Sequence, residues 1–181
     1  MKPGVDFKPI SGKLVVLKPR NQTLLREYYA RRLRPDVLAW ADVWPKNPTY
    51  EEVRLSFAKQ EESPKEWRLW VHSFASRLVG EVNLFDIDRA NKRAEFGICI
   101  FDPDYWGKGY GTEAGRLFLR DASSRFGLEL FYLFTTQANK RGIGSFEKIG
   151  FTITERLSME GKQFVRMEAS KEEIKTSIMR A

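Results

Sequence analysis

Three glycines at alternate positions, Gly107, Gly109 and Gly111, stand within the stretch Asp102-Pro-Asp-Tyr-Trp-Gly-Lys-Gly-Tyr-Gly-Thr-Glu-Ala114. A turn of this kind opening a helix presents several unpaired backbone N–H groups to one point, and the positive end of the helix dipole adds to them. The chemistry it suits is the binding of a phosphate or pyrophosphate. Spacing excludes two better-known phosphate loops. A P-loop needs four residues between a glycine and Gly-Lys-Ser/Thr, and that arrangement is absent. Gly109-Tyr-Gly111-Thr-Glu-Ala114 fits a Gly-x-Gly-x-x-Ala dinucleotide pattern. That reading also wants an acid about 20 residues on, and the next β-run ends instead in Thr135-Thr136-Gln137.

The other reactive side-chain types are sparse. Cys99 is the one cysteine and sits in an apolar run, where it reads as a small buried hydrophobe. It allows no intramolecular disulfide and agrees with a reducing, cytoplasmic setting. His72 is the one histidine, also in an apolar stretch. With no His or Cys cluster around it, no metal site is expected.

The glycine turn needs two elements to position it. Ala94–Phe101 is an apolar run bounded by charges and Asp-Pro, a buried strand. After the turn, Ala114, Leu117, Phe118 and Ala122 fall on one stripe of a helix that ends at Gly127. Leu130–Thr136 is a further strand. A short helix around 142–149 precedes Gly150-Phe151, and Thr152–Leu157 and Gln163–Ala169 form a hairpin around Glu160-Gly161-Lys162. Upstream, residues 1–11 read as a loosely anchored arm. Lys13–Lys18 reads as a strand, Gln22–Leu33 as a helix, and Pro35–Pro48 as a short helix plus loop carrying Trp40 and Trp44. These two indoles either wall a cleft or cover the core. Thr49 and Glu52 predict a capping box opening a helix to about Gln60, and Trp67–Phe74 and Leu78–Phe85 are consecutive strands. The charged tail from Ser170 is either a short helix or frayed.

This order predicts an α+β fold with three α/β/α layers, around a mixed, mostly antiparallel sheet of six or seven strands. Residues 1–181 are expected to form a single domain, since 42% apolar content supplies a core of ordinary size. No apolar run is long enough to span a membrane. Lys plus Arg exceed Asp plus Glu by 31 − 24 = +7, which admits an anionic cofactor or nucleic acid. The basic residues are dispersed and no helix carries a basic stripe with exposed aromatics, which argues against nucleic acid.

Strand, Tyr105-Trp-Gly-Lys-Gly-Tyr-Gly-Thr-Glu-Ala114, helix, strand, then Asn139 and Glu147-Lys-x-Gly150-Phe151 resembles the GNAT acetyltransferases. It is similar to the branch of ribosomal-protein N-terminal and polyamine acetyltransferases. The resemblance is densest over 94–151 and extends from Gly12 to Ala169. It implies a sheet splayed between Ala94–Phe101 and Leu130–Thr136, with acetyl-CoA as co-substrate between those strands. Carried over by position, Ile100, Trp106, Gly107, Lys108, Gly109, Tyr110, Gly111 and Thr112 would hold its pantetheine and pyrophosphate. Asn139 would meet the arm, and Arg141, Lys140 or Lys108 the 3′-phosphate.

The reaction so implied is attack of a primary amine on the thioester. A lysine-like or polyamine nitrogen, of pKa around 10.4, needs a base more than a protein N-terminus does. Glu95, in the central strand, is the leading candidate base, and Glu81, in the preceding strand, is the second. Two positions depart from the pattern. Phe146 stands where many members carry a tyrosine general acid, and Gly142 where the nearer branch often has serine, with Ser145 nearby. A thiolate leaving unaided and a domain that only binds acyl-CoA both remain open. A polycationic acceptor would call for acidic linings, for which Asp86, Asp88, Glu51 and Glu52 are available. Edge strands near the C-terminus are compatible with a homodimer.

Overall fold

The computed structural model describes residues 7–40, 47–159 and 161–179. Eight strands form one sheet in the order β1-β2-β3-β4-β5-β6-β8-β7. They are β1 (Ile10–Ser11), β2 (Val15–Pro19), β3 (Trp67–Ser73), β4 (Leu78–Asp88), β5 (Arg93–Ile100), β6 (Leu130–Thr136), β7 (Thr152–Met159) and β8 (Lys162–Ser170). Every neighbouring pair is antiparallel except β5 and β6. Those two are joined by the crossover helix α4 (Tyr110–Phe126), and parallel neighbours require such a crossover.

The helices divide between the two faces. α4, α5 (Lys140–Ile149) and α6 (Lys171–Met179) cover one face, where Phe96, Phe118, Phe131, Ile149 and Phe151 lie in the larger core. The stripe expected on α4 is there, with Ala114, Leu117, Phe118 and Ala122 all buried. Gly127, at φ 69°, ends that helix in the left-handed conformation that glycine adopts without strain. α1 (Leu25–Arg32), α2 (Pro35–Leu38) and α3 (Tyr50–Glu62) cover the opposite face, packing Tyr28, Val37 and Phe57 with Trp70 and Phe101. Thr49 and Glu52 make the capping box in full, the Glu52 carboxylate accepting from Thr49 N at 2.7 Å. No described helix is long and apolar enough to cross a membrane.

Strand count and the N-terminal arm differ from the expectation. The arm contributes an eighth strand, β1, and the tail takes the helical one of its two open readings, as α6. Ser170 Oγ and the Glu173 carboxylate exchange bonds with each other's backbone N–H, and Ile174 is 2% exposed beneath them. Ser170-x-x-Glu173 is a capping-box spacing, so α6 was signalled in the sequence. Trp44 and Glu160 lie outside the described residues.

The feature that positions the site is a failure of pairing. β5 and β6 pair at Arg93↔Leu130, Ala94↔Phe131 and Glu95↔Tyr132, and then stop. β6 nevertheless pairs with β8 all the way to Thr136↔Phe164, and β5 with β4 to Gly80↔Ile100. The sheet is therefore open between residues 96–100 and 133–136, with backbone of β5 facing the gap.

Candidate active site

The glycine turn begins on a buried anchor. The Asp102 side chain, 3% exposed, pairs with Arg77 at 2.9 Å and Arg31 at 3.5 Å, and accepts from Asp104 N at 3.1 Å. Trp106 Nε1 then donates to the Ile100 carbonyl at 2.8 Å, tying the turn to the end of β5. Gly107 and Gly109 have φ of 70° and 87°, where a Cβ is strained. Gly109 is the N-cap of α4 and supplies no side-chain cap, so the first-turn N–H groups are left to a ligand. The Glu113 carboxylate holds this end of the helix to the β1–β2 loop. It accepts from the backbone N–H groups of Lys13, Leu14 and Val15 at 2.8, 2.7 and 2.9 Å.

A cleft of roughly 1290 Å³ runs through the opening between β5 and β6. Ile100, Trp106, Gly107, Gly109, Gly111, Thr112, Asn139 and Arg141 line it together, as does Lys140. Lys108 and Tyr110 do not; the Tyr110 ring packs edge-on against Tyr105 at 4.8 Å. Asn139 caps α5, its Oδ1 accepting from Gly142 N at 3.0 Å while Nδ2 donates to Thr135 Oγ1 at 3.0 Å. That cap accounts for Gly142, because a Cβ there would lie 2.4 Å from Asn139 Nδ2. Arg141 stacks on Trp106, 3.6 Å from the ring centre, and lies over the Trp40 ring at 5.6 Å. Trp40 thus walls the cleft, and desolvation lowers the pKa of the Arg141 guanidinium.

The two candidate bases part company. Glu95 lines the cleft, and its carboxyl is raised above the usual range by burial and then by the charge of Asp86. Glu81 is outside the cleft lining and wholly buried on the α1–α3 side, where Tyr28 donates to it at 3.1 Å and Arg20 lies 4.0 Å away. Burial, and after it the Glu81 charge, pushes the Tyr28 phenol well above its ordinary value. Cys99 also lines the cleft, but burial pushes its thiol up to about 12, so it stays protonated at neutral pH. His72 is buried in β3 with Nδ1 3.2 Å from the Ser76 carbonyl oxygen.

Phe146 is 8% exposed, its ring set edge-on to Phe96 and Phe151. Ser145 Oγ lies 3.0 Å from Thr112 Oγ1, turned toward the first turn of α4. Asn83 lines the cleft as well and was not singled out from sequence. Its one signal was an amide between two apolar strand residues, Val82-Asn83-Leu84.

The sequence profile described as Acetyltransferase (GNAT) domain matches residues 14–152, and so takes in the glycine turn, the open strands and Asn139. The chain belongs to the GNAT acetyltransferases. The spermidine N(1)-acetyltransferase of Escherichia coli (strain K12) is 29% identical over 152 residues, 83% of this chain and 79% of that protein. The mouse (Mus musculus) alpha/beta-tubulin-N-acetyltransferase 9 is 35% identical over 77 residues, 42% of this chain and 32% of that one. In three dimensions, a spermidine N-acetyltransferase from Vibrio cholerae, solved with CoA and spermine, superposes with a TM-score of 0.76. It is 20% identical and the match covers 90% of this chain and 99% of that one, a likeness of fold.

As a GNAT member the chain is an acyl-CoA-dependent N-acetyltransferase with acetyl-CoA as co-substrate. The residues present fit that molecule. The uncapped helix end and two left-handed glycines make room for a pyrophosphate, and the unpaired edge of β5 offers backbone groups to an amide-bearing arm.

Proposed function

We propose that this GNAT protein transfers acetyl to the nitrogen of a small primary amine, with Glu95 as the base that takes the proton. The observation that carries the assignment is that Glu95, of the two candidate carboxylates, lies in the opened cleft with a raised pKa. A base poised nearer neutrality than an ordinary carboxylate accepts a proton more effectively from an ammonium donor. The co-substrate supplies the thioester carbonyl and a thiol leaving group. The chain's own groups hold and orient it: the N–H groups of Gly109–Thr112 at the phosphates, the β5 edge at the arm, and Arg141 on its Trp106 platform at one wall. A thiol of ordinary pKa near 8.5 leaves without a tyrosine acid, which accommodates Phe146. Polyamines are one acceptor class to try, since the E. coli relative bears that name over most of both chains.

The test is thermal unfolding with acetyl-CoA, followed by thiol release with a panel of amines. Acetyl-CoA at about 100 times its dissociation constant should stabilise by roughly 2.7 kcal/mol. Glu95→Gln should keep that shift and lower kcat/KM by about 10²–10⁴; full turnover in Glu95→Gln removes Glu95 as the base. A second reading, binding without catalysis, rests on the absence of a hydroxyl at Phe146. It predicts the thermal shift with no thiol released for any amine.

A further inference from the structure

Asn83 stands opposite Gly97 in the β4–β5 ladder, so the two share a face of the sheet. It is 3% exposed, its Oδ1 has no hydrogen-bond partner, and it lines the cleft. A Cβ at Gly97 would come within 2.2 Å of that oxygen, so the amide occupies the space a side chain would take. Glu95 lies two residues along β5, on the same face by strand alternation. Two acceptors, one a carboxylate and one a buried carbonyl oxygen lacking a donor, thus lie on one face of the sheet and both line the cleft. A buried oxygen of this kind is matched to a ligand N–H.

What surrounds them is apolar. Val37, Trp40, Phe85, Phe134, Met159 and Phe164 line the cleft, with Trp40, Phe134 and Met159 still 44%, 40% and 45% exposed. Few carboxylates face the cleft itself. Among the described residues, the other cleft carboxylate is Glu113, which already accepts three backbone N–H groups. Asp86, Asp88, Glu51 and Glu52 are not in the lining. Asp88 bonds Asn91, Glu51 bonds Arg54, and Glu52 caps α3. Asp86 acts on Glu95 from outside the lining, so a further ammonium of a polyamine within the cleft meets no lining carboxylate beyond Glu95 and the engaged Glu113, which disfavours it.

We propose that the acceptor is a primary monoamine with an apolar body, an alkyl- or arylalkylamine. Asn83 Oδ1 and Glu95 hold its nitrogen, and the aromatic walls hold its tail. This rests on the acetyl-transfer reading above and narrows it. Asn83 is a positioning residue whose effect falls on KM for the amine. The experiment measures thiol release with 2-phenylethylamine, hexylamine and spermidine for the wild type, Asn83→Leu and Asn83→Asp, alongside the thermal shift with acetyl-CoA. The expected result is a kcat/KM for phenylethylamine at least about tenfold above that for spermidine. Asn83→Leu should raise the phenylethylamine KM about tenfold, the scale of one lost hydrogen bond, with the acetyl-CoA shift unchanged. Asn83→Asp keeps an acceptor oxygen and should hold KM within about threefold. Spermidine turned over as well as or better than the monoamines overturns the proposal alone, as does an unchanged KM in Asn83→Leu. A wild type without any acetyl-CoA shift overturns the underlying acetyl-transfer reading first.

Discussion

Replacing Glu113 by Ala removes the carboxylate that joins the first turn of α4 to the β1–β2 loop. Three backbone donors lose their acceptor, those of Lys13, Leu14 and Val15, now bonded at 2.8, 2.7 and 2.9 Å. Hydrogen bonds to a charged group contribute about 1.5–3 kcal/mol each. The Leu14 and Val15 bonds are partly buried and stand at the low end of that range, and the exposed Lys13 N–H turns to water at little cost. The sum is about 3 kcal/mol. Glu113→Gln is gentler, because one amide oxygen at the Oε2 position still accepts from Leu14 and Val15; it should cost about 1–1.5 kcal/mol. Urea unfolding reads both: with a slope of about 2.5 kcal/mol/M, the Ala midpoint falls by roughly 1.2 M. Acetyl-CoA affinity should weaken alongside, because Leu14 Cδ1 lies 3.3 Å from the Cβ position of Gly109 and the loop backs the glycine turn. An Ala midpoint within about 0.2 M of wild type would refute the argument that these bonds anchor the helix end.

The Glu95 carboxyl is raised by burial first and by Asp86 second. It acts as a base only when ionised, so kcat/KM should rise with pH through a value above the ordinary carboxylate range. Asp86→Asn removes the second cause and should move that acid limb to lower pH, leaving the alkaline side to the amine; an unmoved limb, read from a pH–rate profile, assigns it to another group. Gly109→Ala places a Cβ at φ 87°, at a cost of about 1–2 kcal/mol. It should weaken acetyl-CoA binding about tenfold or more in a direct titration, and an unchanged Kd would mean that the turn does not meet the phosphates.

Much of the frame was legible because local signals agreed with one another. The Thr49/Glu52 capping box, the α4 stripe ending at Gly127 and the β7–β8 hairpin all appear where periodicity and turn residues placed them. β1 carried no such signal. Two residues have no periodicity to read, and they pair with β2 beside the Glu113 clamp, nearly a hundred residues distant in sequence. Gly142 was unreadable for a related reason: its absent Cβ makes room for the Asn139 cap, a clash that exists only once α5 is wound.

Residue types and spacing pointed to an anion-binding turn, because glycines between strand and helix leave backbone N–H groups and a helix dipole exposed, and the acetyl-transfer chemistry came from the resemblance in motif order. They also determined the three-layer fold, through the alternation of apolar periods. Glu95 and Glu81 were ranked first and second in that reading, each a carboxylate in a strand, on likeness to the family alone. Tertiary structure alone separated them. By strand alternation and register Glu81, Asn83 and Glu95 share one face of the sheet, but Glu81 lies under α1, bonded by Tyr28, while the divergence of β5 from β6 leaves Glu95 in the cleft with Asn83. Which helix covers a side chain, and whether its neighbour strand stays paired, depends on contacts between distant segments, and a linear pattern does not contain them.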